Sequence, residues 1–140
     1  MYPYTYTVSF RVWHPTIDPD KITENINLKP HRCWMVGQPR STPRGDRLEG
    51  INDHTYWTAQ LQKQTRLSSR KQKKEDYLSA QMERLKISAR FFHRIRRTGG
   101  RIEFFVGIFC NKNIGVEIPF SLLTSMGKLG IDLSLDIYPE

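Results

Sequence analysis

Alternation of apolar and polar residues is the feature that most constrains the fold of this chain. In residues 6–12 every second side chain is apolar, and Thr, Ser and Arg stand between them. A period of two is typical of a strand with one buried face. The alternation returns in residues 131–137, whereas residues 102–109 are apolar on both faces, which predicts a central strand. A further short strand is predicted around Trp57. The chain is therefore expected to fold around a sheet.

Helical signals lie between these strands. Asp18 suits the N-cap of a short helix, Pro19 suits its first position, and Pro30 is expected to end it. Within residues 75–97, apolar side chains recur at spacings of four and three, which is typical of an amphipathic helix. Residues 87–88 interrupt this pattern, so two consecutive helices are the alternative. Gly99 and Gly100 then end the element.

The C-terminal part of the chain completes the predicted architecture. A turn after the central strand predicts a short strand at residues 116–118 in a hairpin, followed by a brief helix that begins at Pro119 and ends at Gly130. Taken together, the signals predict a single small α+β domain over residues 1–140. Its mixed or antiparallel sheet has about four to five strands packed against two to three helices. A chain of 140 residues is long enough to bury a core of this kind.

Positive charge is concentrated in one part of the chain. Residues 62–101 contain 13 Lys and Arg against three acids, whereas the other hundred residues contain 9 against 11. Residues 62–75 are interpreted as a basic loop or insertion, because Gln and Ser separate its charges and no apolar pattern is present. Such a band creates a field that attracts an acidic partner. It does not specify the partner.

Candidate binding residues come from this band and from an earlier irregular stretch. Residues 30–53 are interrupted by Pro and Gly, and they contain a Trp and several Arg, which are frequent at interface hot spots. The candidate partner-binding residues are Lys63, Arg66, Arg70, Lys71, Lys73 and Lys74 of the basic loop, Arg90, Arg94 and Arg97 of the helix, and Trp34 and Arg40 of the irregular stretch.

The sequence contains no recognisable catalytic or cofactor motif. Phosphate-binding loops, G-x-G-x-x-G, H-E-x-x-H and nucleophile elbows are all missing, so an enzyme, a cofactor and a metal site are not expected. Cys33 and Cys110 are far apart and are interpreted as small buried residues, which favours the reducing cytoplasm. No signal peptide or membrane-spanning segment is recognisable, so no membrane partner is expected.

The order of motifs resembles the bacterial domain of unknown function family 4279 along nearly the whole chain. It runs through "DPDKITENINLKP", "CWMVGQPR", an isolated Trp strand and "IPFSLLTSMGKLGIDLSLDIY". The positions that carry the resemblance are Ile22-Thr23, Leu28, Pro30, Gly37, Trp57 and Leu129-Gly130-Ile131-Asp132-Leu133. The resemblance implies a small α+β domain without catalytic residues to transfer. The basic insertion and the arginine helix face are departures that family members need not share.

Two functional classes are consistent with these observations. The first is a non-catalytic protein-binding module, for example an immunity or partner-neutralising protein whose basic surface meets an acidic protein. The second is a nucleic-acid-binding protein, in which the Lys/Arg band contacts phosphates while Trp34, Tyr56 or Phe91 stack on bases. A continuous groove that joins the arginine helix face to the basic loop would favour nucleic acid. An exposed apolar patch around Trp34 would favour a protein.

Overall fold

The first alternating segment forms β1 (Thr5–His14) in the computed structural model, which describes residues 2–140. The other strands are β2 (Arg32–Trp34), β3 (Pro39–Ser41), β4 (Arg47–Ile51), β5 (Thr55–Gln60), β6 (Leu67–Ser68), β7 (Arg101–Cys110) and β8 (Ile131–Pro139). The helices are α1 (Pro19–Ile26), α2 (Lys74–Leu85), α3 (Ala89–Arg97) and α4 (Phe120–Leu129), and a 3-10 turn (Lys86–Ser88) joins α2 to α3. The predicted α+β class is confirmed.

The main sheet is mixed, with strand order β2-β5-β1-β7-β8. β6 pairs with the first two residues of β1, beyond the end of β5, and β3 and β4 form a separate hairpin. Pairing is antiparallel except between β7 and β8, which are parallel. Parallel neighbours need a crossover, and α4 lies within it. The strand predicted at residues 116–118 is therefore wrong, because the chain reaches β8 through a helix and not through a hairpin.

The core lies on one face of the sheet. The alternating apolar residues of β1 and β7 are fully buried there, and each helix adds its own apolar side chains. The other residues of β1, from Thr5 to Trp13, are only half-buried and point to the opposite face. All helix packing in residues 2–140 is on the first face, so we call the second one the open face. β7 lies between β1 and β8, which confirms that it is a central strand.

The start of α1 follows the predicted signals. The Asp18 side chain accepts a hydrogen bond from the Asp20 backbone N–H at 2.9 Å, and Pro19 occupies the first turn. The helix ends earlier than predicted, because Asn27 takes a left-handed conformation (φ 58°) and caps it. The Trp57 indole N–H donates to the Thr23 hydroxyl at 2.9 Å, which holds α1 against β5.

The interruption at residues 87–88 marks a real break between two helices. Ile87 is 93% exposed, whereas Ser88 is buried and its hydroxyl donates to the Asn25 carbonyl at 3.0 Å. This contact with the end of α1 turns the chain from α2 into α3. The alternative of two consecutive helices is therefore confirmed.

The two cysteines are unpaired, and their environments differ from the prediction. Cys33 is exposed and Cys110 is half-buried, so the expectation that both are buried is wrong. Cys33 is exposed because β2 is a short strand at the edge of the sheet. No helix in residues 2–140 combines the length and the apolar character needed to cross a membrane.

Candidate partner-binding surface

Three aromatic rings stand side by side at one end of the open face. Trp34 of β2 pairs with Tyr56 of β5, and Tyr56 pairs with Trp13 of β1. The ring centroids are 4.6 Å apart for Trp34 and Tyr56 and 5.4 Å apart for Tyr56 and Trp13. Cross-strand aromatic pairs at these distances stabilise neighbouring strands. We call Trp34, Tyr56 and Trp13 the aromatic row.

Arginine side chains lie over the two tryptophans of the row. The Arg32 guanidinium is 5.0 Å from the Trp34 centroid. The guanidinium groups of Arg101 and Arg11 are 4.3 Å and 5.1 Å from the Trp13 centroid. Cation–π contacts of this kind hold planar cations against the rings. The row therefore presents fixed positive charge as well as aromatic surface.

Glu103 holds two of these arginines in place. It is only 3% exposed, although it belongs to the open face. Its carboxylate accepts hydrogen bonds from Arg101 at 2.8 Å and from the Ser134 hydroxyl at 2.7 Å, and it lies 3.4 Å from Nε of Arg11. Glu103 is absent from the residues predicted from sequence because it stands in an otherwise apolar strand. The signal available in the sequence was a single acid within an apolar strand. The structure shows that this acid lies opposite Arg11 of β1.

A groove separates β2 from the β3–β4 hairpin and meets the aromatic row at Trp34. Its volume is about 480 Å³. We call it the hairpin groove; residues that line it include Arg32, Trp34, Arg40, Leu48, Ile51 and His54. The Arg32 side chain donates to the Ser41 carbonyl at 3.3 Å, and the Arg40 side chain donates to the Glu49 carbonyl at 3.2 Å. Trp34 and Arg40, both predicted from sequence, are thus brought together.

Histidines near the groove have structural hydrogen bonds. His54 contacts Asp53 at the rim, and this hydrogen bond lowers the pKa of the Asp53 carboxyl. Nδ1 of His31 accepts the Gln60 backbone N–H at 3.0 Å, and burial lowers the pKa of His31. Among residues 2–140, no group of three or more His, Cys, Asp or Glu is arranged to hold a metal ion.

The basic loop lies at the other end of the sheet from the aromatic row. Its β6 pairs with Thr5 and Tyr6, whereas Trp13 is near the opposite end of β1. Five of its predicted residues are exposed: Lys63, Arg66, Arg70, Lys71 and Lys73. Arg66 contacts the Phe109 ring at 3.6 Å and pairs with Glu140 at 2.6 Å.

Lys74 differs from the other basic residues of the loop. It is buried and pairs with Glu75 at 2.6 Å, and its ammonium group is 5.6 Å from the Tyr4 centroid. The interpretation of the whole segment as a solvated loop is therefore corrected, because Lys74 begins α2 and its side chain is enclosed by these neighbours. We leave Lys74 out of the candidate surface.

The arginines of α3 occupy a third location. Arg90, Arg94 and Arg97 are all exposed on the helical side of the sheet. The Thr98 hydroxyl donates to the Arg94 carbonyl and accepts a hydrogen bond from Nε2 of His14, which places the end of α3 beside the end of β1. The basic band is thus divided between two ends of the molecule. Phe91, which was expected to stack on bases, is buried in the core, so it cannot do so.

Comparison with known families assigns the chain. The family described as "Domain of unknown function (DUF4279)" matches residues 4–140, which include every strand and helix described above. The chain belongs to this family. The predicted resemblance is therefore confirmed. No curated protein matches the chain, and no solved structure matches it either.

In this DUF4279 domain the aromatic row and the hairpin groove form one surface, because Trp34 belongs to both. The surface offers exposed aliphatic side chains from the hairpin, aromatic rings and guanidinium groups within a short distance of each other. Trp, Tyr and Arg are the residues most enriched at interface hot spots. The chemistry present suits contacts with apolar and acidic groups.

Proposed function

We propose that this DUF4279 domain is a non-catalytic protein-binding module whose partner contacts the hairpin groove and the aromatic row. One observation carries the proposal. Ile51 is 64% exposed and Leu48 is also exposed, and both line the same groove as Trp34 and Arg40. Exposed aliphatic side chains around a Trp and an Arg are typical of a surface that a protein partner covers.

Charge favours an acidic partner. Arg32, Arg40 and one acid, Asp53, line the groove, and the hairpin exposes Arg44 and Arg47 beside Asp46 and Glu49. The net charge of the chain is +8, which increases the encounter rate with acidic proteins at low salt. The basic loop and the α3 arginines lie away from the groove, so in this proposal they accelerate association and do not form the contact.

Single-stranded nucleic acid is the second candidate. Aromatic side chains on an open sheet face are used by several RNA-binding modules to stack bases. Two observations rank it below a protein. Guanidinium groups already lie over the Trp13 and Trp34 rings. The basic loop and the C-terminal end of α3 lie at opposite ends of β1.

Capture with matched variants tests the proposal. The tagged full chain is used to capture partners from lysate with and without nuclease, at low and moderate salt. The groove variant Arg40→Glu/Ile51→Glu is compared with Arg90→Glu/Ile87→Glu, which makes the same changes at exposed positions elsewhere. We expect a discrete protein that resists nuclease, binds the wild type and the control, and is lost with the groove variant.

Other outcomes would reject the proposal. A partner retained by the groove variant would exclude the hairpin groove as the interface. Nucleic acid that is released steeply by salt would support the second candidate instead.

A partner-neutralising role, including immunity, is the narrower form of the proposal. Co-expression should then suppress the partner's toxicity only when the groove is intact. Two unpaired cysteines favour the reducing cytoplasm as the setting.

A further inference from the structure

β8 leaves one long edge of the main sheet unpaired. It pairs along nine residues with β7, and no strand within residues 2–140 pairs with its other side. The opposite edge is formed by β2, which has only three residues. Proteins usually protect exposed edges with short strands, bulges, charged side chains (Lys above all) or an internal Pro. Along Ile131–Tyr138, β8 has two acids but no Lys and no bulge, and its Pro is the last residue of the strand.

Apolar side chains flank this edge. On the helical side of β8, Ile137 is 53% exposed and Leu135 is also exposed. α4 packs against β8, and it presents Phe120, which is 83% exposed, and Leu123. Leu135 and Ile137 thus form an apolar patch beside unpaired backbone groups, and Phe120 and Leu123 add exposed apolar surface on the helix that packs against β8. A monomer would leave both features in water.

We infer that this edge is a homodimer interface, in which β8 pairs antiparallel with β8 of a second copy around a twofold axis at Leu135. The two main sheets then become one continuous sheet. For two antiparallel edges the axis is perpendicular to the sheet, so both helical layers lie on the same side. The apolar patches of the two copies therefore meet, and the unpaired N–H and C=O groups of β8 satisfy each other.

The strand sequence selects this partner and this register. With the axis at Leu135 all nine residues pair: Asp132 faces Tyr138, Ser134 faces Asp136, and Leu133 faces Ile137 of the other copy. Moving the axis to Ser134 places Asp132 opposite Asp136, and moving it to Asp136 places that residue opposite itself. Like charges directly opposite each other destabilise a strand pair. β8 is thus complementary to itself in one full-length register.

Sedimentation velocity of the full chain tests the dimer over about a hundredfold range of concentration. We expect a concentration-dependent dimer for the wild type. Leu135→Lys/Ile137→Lys should weaken dimerisation by at least about a hundredfold, because two charges would be buried at the axis. Both positions are exposed in one copy, so the fold should be retained, as circular dichroism would show. The control Ile51→Lys/Ile87→Lys changes two exposed isoleucines elsewhere and should dimerise normally.

A monomeric wild type throughout the range would overturn the inference, as would an edge variant that dimerises like the wild type.

The register has its own test in a Cys33→Ser/Cys110→Ser background. Leu135→Cys should form an intermolecular disulfide on mild oxidation, because position 135 faces the same position of the second copy across the axis. Ser134→Cys should react far less. The reverse order would show that the axis does not pass through Leu135. Neither result depends on the partner proposed above, because the hairpin groove is at the other edge of the sheet.

Discussion

Glu103 is almost completely buried on the open face of the sheet, and three polar groups converge on it. Removal of the carboxylate takes away the ion-pair partner of Arg11, whose Nε is inaccessible to water and has no hydrogen bond. We expect Glu103→Ala to lower the free energy of unfolding by about 2–3 kcal/mol, measured by urea denaturation.

Asp132 provides the comparison for Glu103. Its carboxylate is 3.7 Å from Arg101, but both side chains are about half exposed. Surface ion pairs of this kind contribute little, so Asp132→Ala should change the free energy of unfolding by less than about 1 kcal/mol. Equal effects of the two substitutions would show that burial of Glu103 is not what makes it important.

His14 makes stability depend on pH. The ring is buried, and its Nδ1 accepts the backbone N–H groups of Thr16 at 3.0 Å and Ile17 at 2.9 Å. Burial lowers the pKa of His14 below 6.5. The unfolded chain therefore binds a proton more readily than the folded one. The stabilisation is fully present above pH 6.5 and decreases as the pH falls from there toward the folded pKa.

Urea denaturation at about pH 7.5 and about pH 5.5 measures this effect. We expect a lower free energy of unfolding at the acidic pH, with His31 contributing in the same direction because its pKa is also lowered. His14→Asn keeps a hydrogen-bond acceptor near the two N–H groups but does not titrate. The same loss of stability in this variant would contradict a role for His14.

At the scale of elements, two glycines distinguish the cost of a steric clash from the gain in helix propensity when glycine is replaced by alanine. Gly100 connects α3 to β7, and a Cβ there would lie 2.7 Å from the Trp13 carbonyl oxygen. Gly127 is inside α4, and a Cβ added there would have no neighbouring side chain or other element within 4 Å. We expect Gly100→Ala to destabilise the fold by about 2 kcal/mol, because the backbone must move. Gly127→Ala should stabilise it by about 0.5–1 kcal/mol.

Thermal denaturation of both variants checks this prediction. Because both replace glycine with alanine, a difference in their stability reports on the surroundings of each residue. A stable Gly100→Ala variant would mean that the α3–β7 connection can adjust. A destabilised Gly127→Ala variant would mean that α4 contacts a neighbour on this side.

Elements were predicted where their signals are local. Alternation predicted β1, β7 and β8, and the cap at Asp18 predicted the start of α1. The β3–β4 hairpin was not predicted, because its short strands stand among Gly and Pro without a pattern and are fixed by pairing with each other. The strand predicted at residues 116–118 failed for a related reason. Its apolar residues could have paired, but the parallel partner of β7 lies further along the chain.

At the scale of the whole molecule, β1 joins the N-terminal part of the chain, which contains β5, to the C-terminal part, which contains β7, so that we expect one cooperative unit. It pairs with β5 on one side and with β7 on the other. Trp13, Trp34 and Trp57 all lie at the β2–β5–β1 end, whereas circular dichroism reports on every element. We expect urea transitions followed by tryptophan fluorescence and by circular dichroism to coincide. An earlier fluorescence transition would show that this end unfolds independently.

The sequence alone determined the α+β class, the family, the main strands and the concentration of basic residues, because each depends on neighbouring residues or on motif order. The tertiary structure decided which side chains form a surface. The basic band is continuous in sequence, but the fold places its parts at two ends of the molecule and encloses Lys74. The fold also brought Trp34 beside Tyr56 and Trp13, from three strands. Strand pairing joins residues that are distant along the chain, and no local pattern records which strands become neighbours.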